Sequence, residues 1–205
     1  MGSSPFLGVW VSKLEMPILI PWDKVPSAHS QILQAIRSGK IFIYPTDTIY
    51  GIGCAAENEA AVKRIRHIKS RETQKPFSII APSKEWIHVH FEVKFPKFLE
   101  KLPGPYTLIL PKKIPGFLEE VSPSTSMGVR IPKHPFTQLV EEAAIPFVTT
   151  SVNVSGQPHA KSIADIPKEI LESVDFVLDA GKLENPPSEL WDLTGKEPKH
   201  VPRKN

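Results

Sequence analysis

Residues 44–53 read YPTDTIYGIG and follow the apolar run Ile41, Phe42, Ile43. They bring Thr46, Thr48, Tyr44, Tyr50, the carboxylate of Asp47 and two glycines together within a few positions. A connection leaving a strand needs one turn signal and one helix cap. This stretch carries more polar groups than that task requires, and the surplus is what a binding wall needs.

Three further polar groups stand out. Lys69 and Arg71, in KSR, close a helical pattern, and Lys75 follows. Cations are favourable at a helix C-terminus, so the cluster reads either as a solvated helix end or as an anion site, depending on what lies opposite. In TTSVNVSG (149–156) an apolar, β-branched run ends in Ser151, Asn153, Ser155 and Gly156. Such groups at a strand end bind phosphate, hold a metal-bound water, or make Asx and Ser turns. Arg130 falls inside a strand-like run, and a buried guanidinium needs an anionic partner. A protein carboxylate or a ligand carboxylate would serve equally. Ser188 and Asp192, in PPSELWDLTG, read on their own as loop residues.

Several chemistries have no support. No Gly-x4-Gly-Lys-Ser/Thr occurs, and the GIG at 51–53 continues as Cys-Ala-Ala, without the last glycine of a dinucleotide fingerprint. The 7 histidines are scattered, and His88 with His90 is a weak pair, so no zinc spacing appears. A single cysteine, Cys54, forms no internal disulfide and reads as a small buried hydrophobe in a reducing, cytoplasmic setting. A net charge of +3 is too small to imply strong nucleic-acid binding. Apolar stretches such as 16–21 are far shorter than a membrane span, so a protein without membrane contact is expected.

The elements that must position these groups alternate. HSQILQAIRSG sets Ile32, Leu33 and Ile36 at helical spacing, with Gly39 just past the end. ENEAAVKRIRHIKSR has Asn58 as N-cap and Ala61, Val62, Ile65 and Ile68 on one face. Further helices are expected at 95–102, 135–144 and 165–172, and strands at 41–44, 77–81, 106–110, 128–131, 147–151 and 175–181. The 22 prolines sit at element edges rather than in a block, which is the punctuation of an ordered chain. From about Pro186 the chain is polar and proline-rich and is expected to lie over the surface. The fold class is α/β or α+β on a mixed sheet, as one domain over all 205 residues.

The ordered series YPTDTIYGIG, KSRETQKPFS, PGPYTLILP, GVRIPKHP, TSVNVSGQP and PSELWDLTG resembles the YrdC-type threonylcarbamoyl-AMP synthase family. The resemblance spans about 28–203, nearly the whole chain, without the additional C-terminal domain of longer members. It implies a twisted open mixed sheet with flanking helices around a large basic cavity. It also implies an activity: L-threonine, bicarbonate and ATP, the last with Mg²⁺, give threonylcarbamoyl-AMP and pyrophosphate for tRNA modification. Partner proteins of that pathway would take the product, and transient contact with RNA or tRNA is compatible with it.

Roles follow from the same resemblance. Lys69 and Arg71 would hold the phosphates; Ser151 and Asn153 complete the catalytic set, the serine near the amino acid and the asparagine near ATP or its Mg²⁺. Thr46, Arg130 and Ser188 would contact L-threonine, Arg130 through the carboxylate. Thr73, Ser126 and Arg203 resemble nucleotide contacts. No residue is assigned directly to a metal. Asp47 and Thr48 would orient Thr46 or cap the turn, and the glycines would let the chain turn closely past the substrate.

This chain departs from the family pattern at two places. Many members have a histidine near Ser78, and Lys161 and Ser162 stand where a hydroxyl pair usually follows SGQP. The competing readings are a YrdC-like module that binds RNA or nucleotide without making the adenylate, and a related adenylation of another amino acid. Retention of Lys69, Arg71, Ser151 and Asn153 favours the enzyme, since RNA binding needs positive charge and not this polar set.

Overall fold

A computed structural model describes residues 16–70, 75–153 and 158–202. Its strands are β1 (Ile18–Pro21), β2 (Phe42–Tyr44), β3 (Gly51–Gly53), β4 (Ser78–Ile80), β5 (Tyr106–Pro111), β6 (Ser126–Arg130), β7 (Phe147–Ser151), β8 (Phe176–Asp179), β9 (Glu189–Asp192) and β10 (Lys199–Val201). Its helices are α1 (His29–Arg37), α2 (Glu59–Ile68), α3 (Lys84–His90), α4 (Pro96–Leu99), α5 (Phe136–Ala143) and α6 (Lys168–Ser173). The strands form one 10-stranded sheet in the order β1-β8-β2-β3-β7-β4-β6-β5-β9-β10. It is mixed: β8 runs parallel to β1 and β2, β4 to β6 and β5 to β9, while the other pairings are antiparallel.

Alternation along the strands divides the core. Ile43, Ile52, Ile79, Val129, Val148 and Val177 pack in one cluster with Val62 and Ile65 of α2. Phe42, Tyr44, Ile80, Phe147 and Phe176 pack in a second cluster with Ile32 and Ile36 of α1 and Phe136, Leu139 and Val140 of α5. Fully burying a side chain of this size contributes about 1.5–3 kcal/mol, so both helices are held by their apolar stripes. As the spacing predicts, Asn58 caps α2 by accepting from the Ala61 amide at 3.0 Å, and Gly39 takes a left-handed φ of 72° after α1.

Three features differ from the sequence reading. GIG is a strand, β3, between β2 and β7, and its glycines serve close packing rather than a turn. A Cβ on Gly53 would lie 1.8 Å from the Val148 carbonyl oxygen, and one on Gly51 would lie 2.9 Å from the Tyr44 ring. KEWIHVH forms α3, capped by Ser83 accepting from the Trp86 amide at 3.1 Å. The region after Pro186 is not merely surface chain, because β9 pairs in parallel with β5 and carries β10 on its far side.

The register also explains where a cavity can open. Phe147, Thr149 and Ser151 point to one side of β7, and Ile80 and Ser78 to the same side of β4, because Phe147 pairs with Ile80 and Thr149 with Ser78. One cross-strand row runs Thr149, Ser78, Gly128, Ile109, Asp192. The face that α1 and α5 cover with aromatic residues therefore continues as a row of hydroxyls where those helices stop.

Candidate functional site

A cavity of about 500 Å³ lies over this polar part of the sheet. Its floor includes Ser78, Thr107, Gly128 and Thr149, one wall comes from Thr46, Thr48 and Tyr50, and the other from Ser188, Asp192 and Thr194. Gly128 leaves the floor bare: a Cβ there would stand 2.3 Å from the Ser78 Oγ.

Arg130, at the end of β6, lines the cavity and is only 6% exposed. Its Nη2 donates to Asp47 Oδ1 at 2.7 Å and to Thr48 Oγ1 at 3.4 Å. Burial lowers the affinity of this guanidinium for its proton and Asp47 opposes the shift; arginine stays charged at neutral pH. The sequence left its partner open, and a protein carboxylate takes one nitrogen. The Nε is buried and has no hydrogen-bond partner. An unpaired buried donor is costly, so the guanidinium has hydrogen-bonding capacity left for an acceptor.

Thr46 is held by a local turn. Its hydroxyl donates to the Ile49 carbonyl at 2.7 Å and accepts from the Thr48 and Ile49 amides at 3.1 and 3.3 Å. With the Thr46 proton engaged, the 2.9 Å contact between the two threonine hydroxyls has Thr48 as donor. Hydrogen bonds thus run from Arg130 Nη2 through Thr48 and Thr46 to Ile49. Thr46 lines the cavity with its hydroxyl committed to this turn.

Lys69 caps α2 and is 1% exposed. Its ammonium donates to the carbonyls of Ser151 and Asn153 at 2.5 and 2.7 Å and to Asn153 Oδ1 at 2.8 Å. Ser151 Oγ donates to the same Oδ1 at 2.8 Å. The lysine expected at the phosphates thus holds the end of β7 from behind. Asn153 turns its amide oxygen to this internal pair, and Ser151 lines the cavity.

Ser126 and Ser188 also line the cavity, Ser188 within 2.8 Å of Thr107 Oγ1. Arg71, Thr73 and Arg203 lie outside the described residues. The Ser162 hydroxyl and the Lys161 and Ser162 amides donate to Asp165 Oδ2, capping a short 3-10 turn. The cavity was expected to be basic, yet among the described lining residues Arg130 is the cation, Asp192 is an anion and most others are hydroxyl-bearing or apolar. Sequence reasoning missed Thr107, and it did not read Asp47 as the partner of Arg130 or Asp192 as a lining carboxylate. The signal for Asp47 was its place in a Thr-Asp-Thr run in the same chain as a strand arginine.

The family profile of Sua5/YciO/YrdC, described as "Telomere recombination", matches residues 34–204. The chain belongs to the Sua5/YciO/YrdC family. It is 42% identical over 150 residues to a Methanocaldococcus jannaschii protein provisionally named a threonylcarbamoyl-AMP synthase, covering 72% of this chain and 70% of that one. The structure of Pyrococcus abyssi Sua5 complexed with L-threonine superposes with a TM-score of 0.73 at 29% identity, covering 91% of this chain and 56% of that chain. The chain thus spans little more than half of that protein. Escherichia coli YciO matches with a TM-score of 0.74 at 27% identity, covering 92% of this chain and 95% of that one. These family structures share the mixed α/β sheet with flanking helices.

Proposed function

We propose that this protein is an L-threonylcarbamoyladenylate synthase, making threonylcarbamoyl-AMP and pyrophosphate from L-threonine, bicarbonate and ATP. The observation that carries the reading is Arg130: a buried guanidinium in a hydroxyl-lined cavity with its Nε unpartnered. A carboxylate of amino-acid size in this cavity would pair with the guanidinium, and the Pyrococcus abyssi relative is a complex with L-threonine.

The remaining groups suit the chemistry. Ser151 donates its proton to Asn153, so its oxygen meets the ligand as an acceptor, oriented to receive an N–H from the threonine amine. The neutral amine condenses with bicarbonate to give the carbamate and water. A carbamate oxygen then attacks the α-phosphorus of ATP, and the bond from that phosphorus to the bridging oxygen breaks, releasing pyrophosphate. Such a reaction requires orientation and charge stabilisation more than covalent catalysis. Lys69 supplies buried positive charge behind Ser151 and fixes the strand end that carries it. Arg71, Thr73 and Arg203 keep the phosphate and nucleotide roles that the family resemblance implies.

Magnesium enters with ATP. Among the described residues Asp192 is the lining carboxylate that could meet this ion, which would supply charge stabilisation at the phosphates. The product passes to the proteins that transfer the threonylcarbamoyl group to tRNA, in the cytoplasm. Among the described residues no helix is long and apolar enough to cross a membrane.

The test is pyrophosphate release from ATP and magnesium, with L-threonine and bicarbonate each omitted in turn. Labelled bicarbonate should appear in an adenylate detected by mass spectrometry. Release that ignores either omission, or none from folded protein, sinks the proposal.

A further inference from the structure

Asp47 belongs to the segment between β2 and β3, yet it is tied to three other parts of the chain. Its Oδ1 accepts from Arg130 Nη2 at 2.7 Å, and its Oδ2 accepts from the Lys133 amide at 2.9 Å, beyond the end of β6. Its carbonyl oxygen accepts from Asn185 Nδ2 at 2.9 Å, in the segment that runs from β8 to β9. The side chains of Asp47 and Arg130 are 10% and 8% exposed, so the pair is shielded from solvent. One carboxylate thus fixes the guanidinium by Nη2, and it is itself fixed by a backbone amide.

We infer that Asp47 is a positioning residue for the amino-acid substrate: it holds Arg130 by one nitrogen so that the rest of the guanidinium stays presented to the cavity for the substrate carboxylate. The inference rests on the reading of Arg130 as the threonine contact. Two physical effects of Asp47 oppose each other. Its negative charge weakens the pull of Arg130 on a second carboxylate, whereas its fixed geometry removes the conformational cost of presenting the guanidinium. A freed arginine samples many rotamers and turns towards its nearest acceptors, which include Thr48 Oγ1 at 3.4 Å. In a pair this buried, with its carboxylate tied to the Lys133 amide, the geometric effect outweighs the charge effect. The sign of the mutational effect therefore tells the two apart.

The experiment is calorimetric titration of L-threonine into wild type, Asp47→Asn and Asp47→Glu, with KM for threonine, KM for ATP and kcat measured in parallel. Asparagine keeps the size and one acceptor oxygen but cannot serve both Arg130 and the Lys133 amide as the carboxylate does. Glutamate keeps the charge and displaces it by one methylene. We expect threonine affinity to fall about tenfold in each variant, with a matching rise in KM for threonine and with kcat and KM for ATP within about twofold. Unchanged or tighter threonine binding in a folded variant overturns the inference, because Asp47 then acts only through its charge. A parallel loss for both substrates overturns it too, since that is a general structural effect. If Asp47→Asn does not fold, Asp47→Glu carries the same comparison. Absence of threonine binding by the wild type overturns the functional reading itself, and the inference with it.

Discussion

The ammonium of Lys69 donates to two oxygens of Asn153, the carbonyl at 2.7 Å and the side-chain Oδ1 at 2.8 Å. Helix α2 and the end of β7 are thereby joined by a buried cation directly behind Ser151. Lys69 and Asn153 are far apart in the chain, and both belong to the set that the family resemblance marks as catalytic. Their contact makes the set one unit rather than separate ligand contacts.

Lys69→Ala should therefore damage both fold and reaction. Charged hydrogen bonds contribute about 1.5–3 kcal/mol each, and the alanine variant takes the ammonium from the Ser151 and Asn153 carbonyls. We expect a stability loss of about 3 kcal/mol, read from denaturant unfolding. Activity should fall by on the order of 10²-fold when measured where the variant is still folded. Lys69→Arg should not rescue it, because a planar fork does not reproduce a point ammonium among three converging oxygens. A variant with native stability and native rate would mean that this contact orients nothing.

Arg130→Lys tests the amino-acid end of the cavity. Lysine retains a charge for Asp47 but loses the second, differently directed donor that Nε provides. Steady-state kinetics should show KM for threonine raised about tenfold, equivalent to about 1.4 kcal/mol, with KM for ATP little changed. A change confined to ATP would place the guanidinium at the nucleotide instead.

Gly128→Ala addresses the cavity floor. The new methyl would stand 2.3 Å from Ser78 Oγ and 3.3 Å from Thr107 Cγ2, so it must displace the serine and intrude on the floor. Overpacking of this kind costs about 1–3 kcal/mol. The expected outcome is a lower thermal midpoint and a lower rate. Adding Ser78→Ala should recover part of the stability, as the next contact, to Ser78 Cβ, is 3.1 Å. Equal stability of the single and double variants would mean that the serine hydroxyl is not what the methyl meets.

His134 gives the fold a dependence on pH. Burial lowers its pKa from 6.5 to about 4, against the opposing effect of Asp47. Its ring lies 4.6 Å from that of Trp22, and its Nδ1 accepts from the Phe136 amide at 3.2 Å. The folded state favours the neutral ring, so this contribution is present above pH 6.5 and is lost as pH falls through about 4. Thermal midpoints measured across that window should decline, and His134→Gln should flatten the decline. An identical pH profile in the variant would remove His134 as the cause.

Helices α1, α2 and α5 were legible in the sequence because their burial follows local periodicity, with Ile32 and Ile36, Val62 and Ile65, and Phe136 and Val140 at helical spacing. The buried strands β2, β4 and β7 were legible as short apolar or β-branched runs. Other elements were not. GIG lacks side chains with strand preference, and β3 exists because β2 and β7 flank it closely enough to exclude a Cβ at Gly53. Glu189–Asp192 mixes charged and apolar residues, and it is a strand because β5 offers it a free edge.

The candidate site divides in the same way. Residue types and order marked Thr46, Lys69, Arg130, Ser151, Asn153 and Ser188, and they carried the family resemblance. The sequence by itself determined which polar side chains stand in these motifs and in what order, because chemical type is a local property. Only the tertiary structure decided which groups face the cavity and which stand behind it. Lys69 turns its three donors to the end of β7, and Asp47 reaches across the sheet to Arg130, leaving Nε unpaired. Those choices depend on strand order and register, which bring residues distant in the chain within hydrogen-bond reach, and no local pattern encodes them.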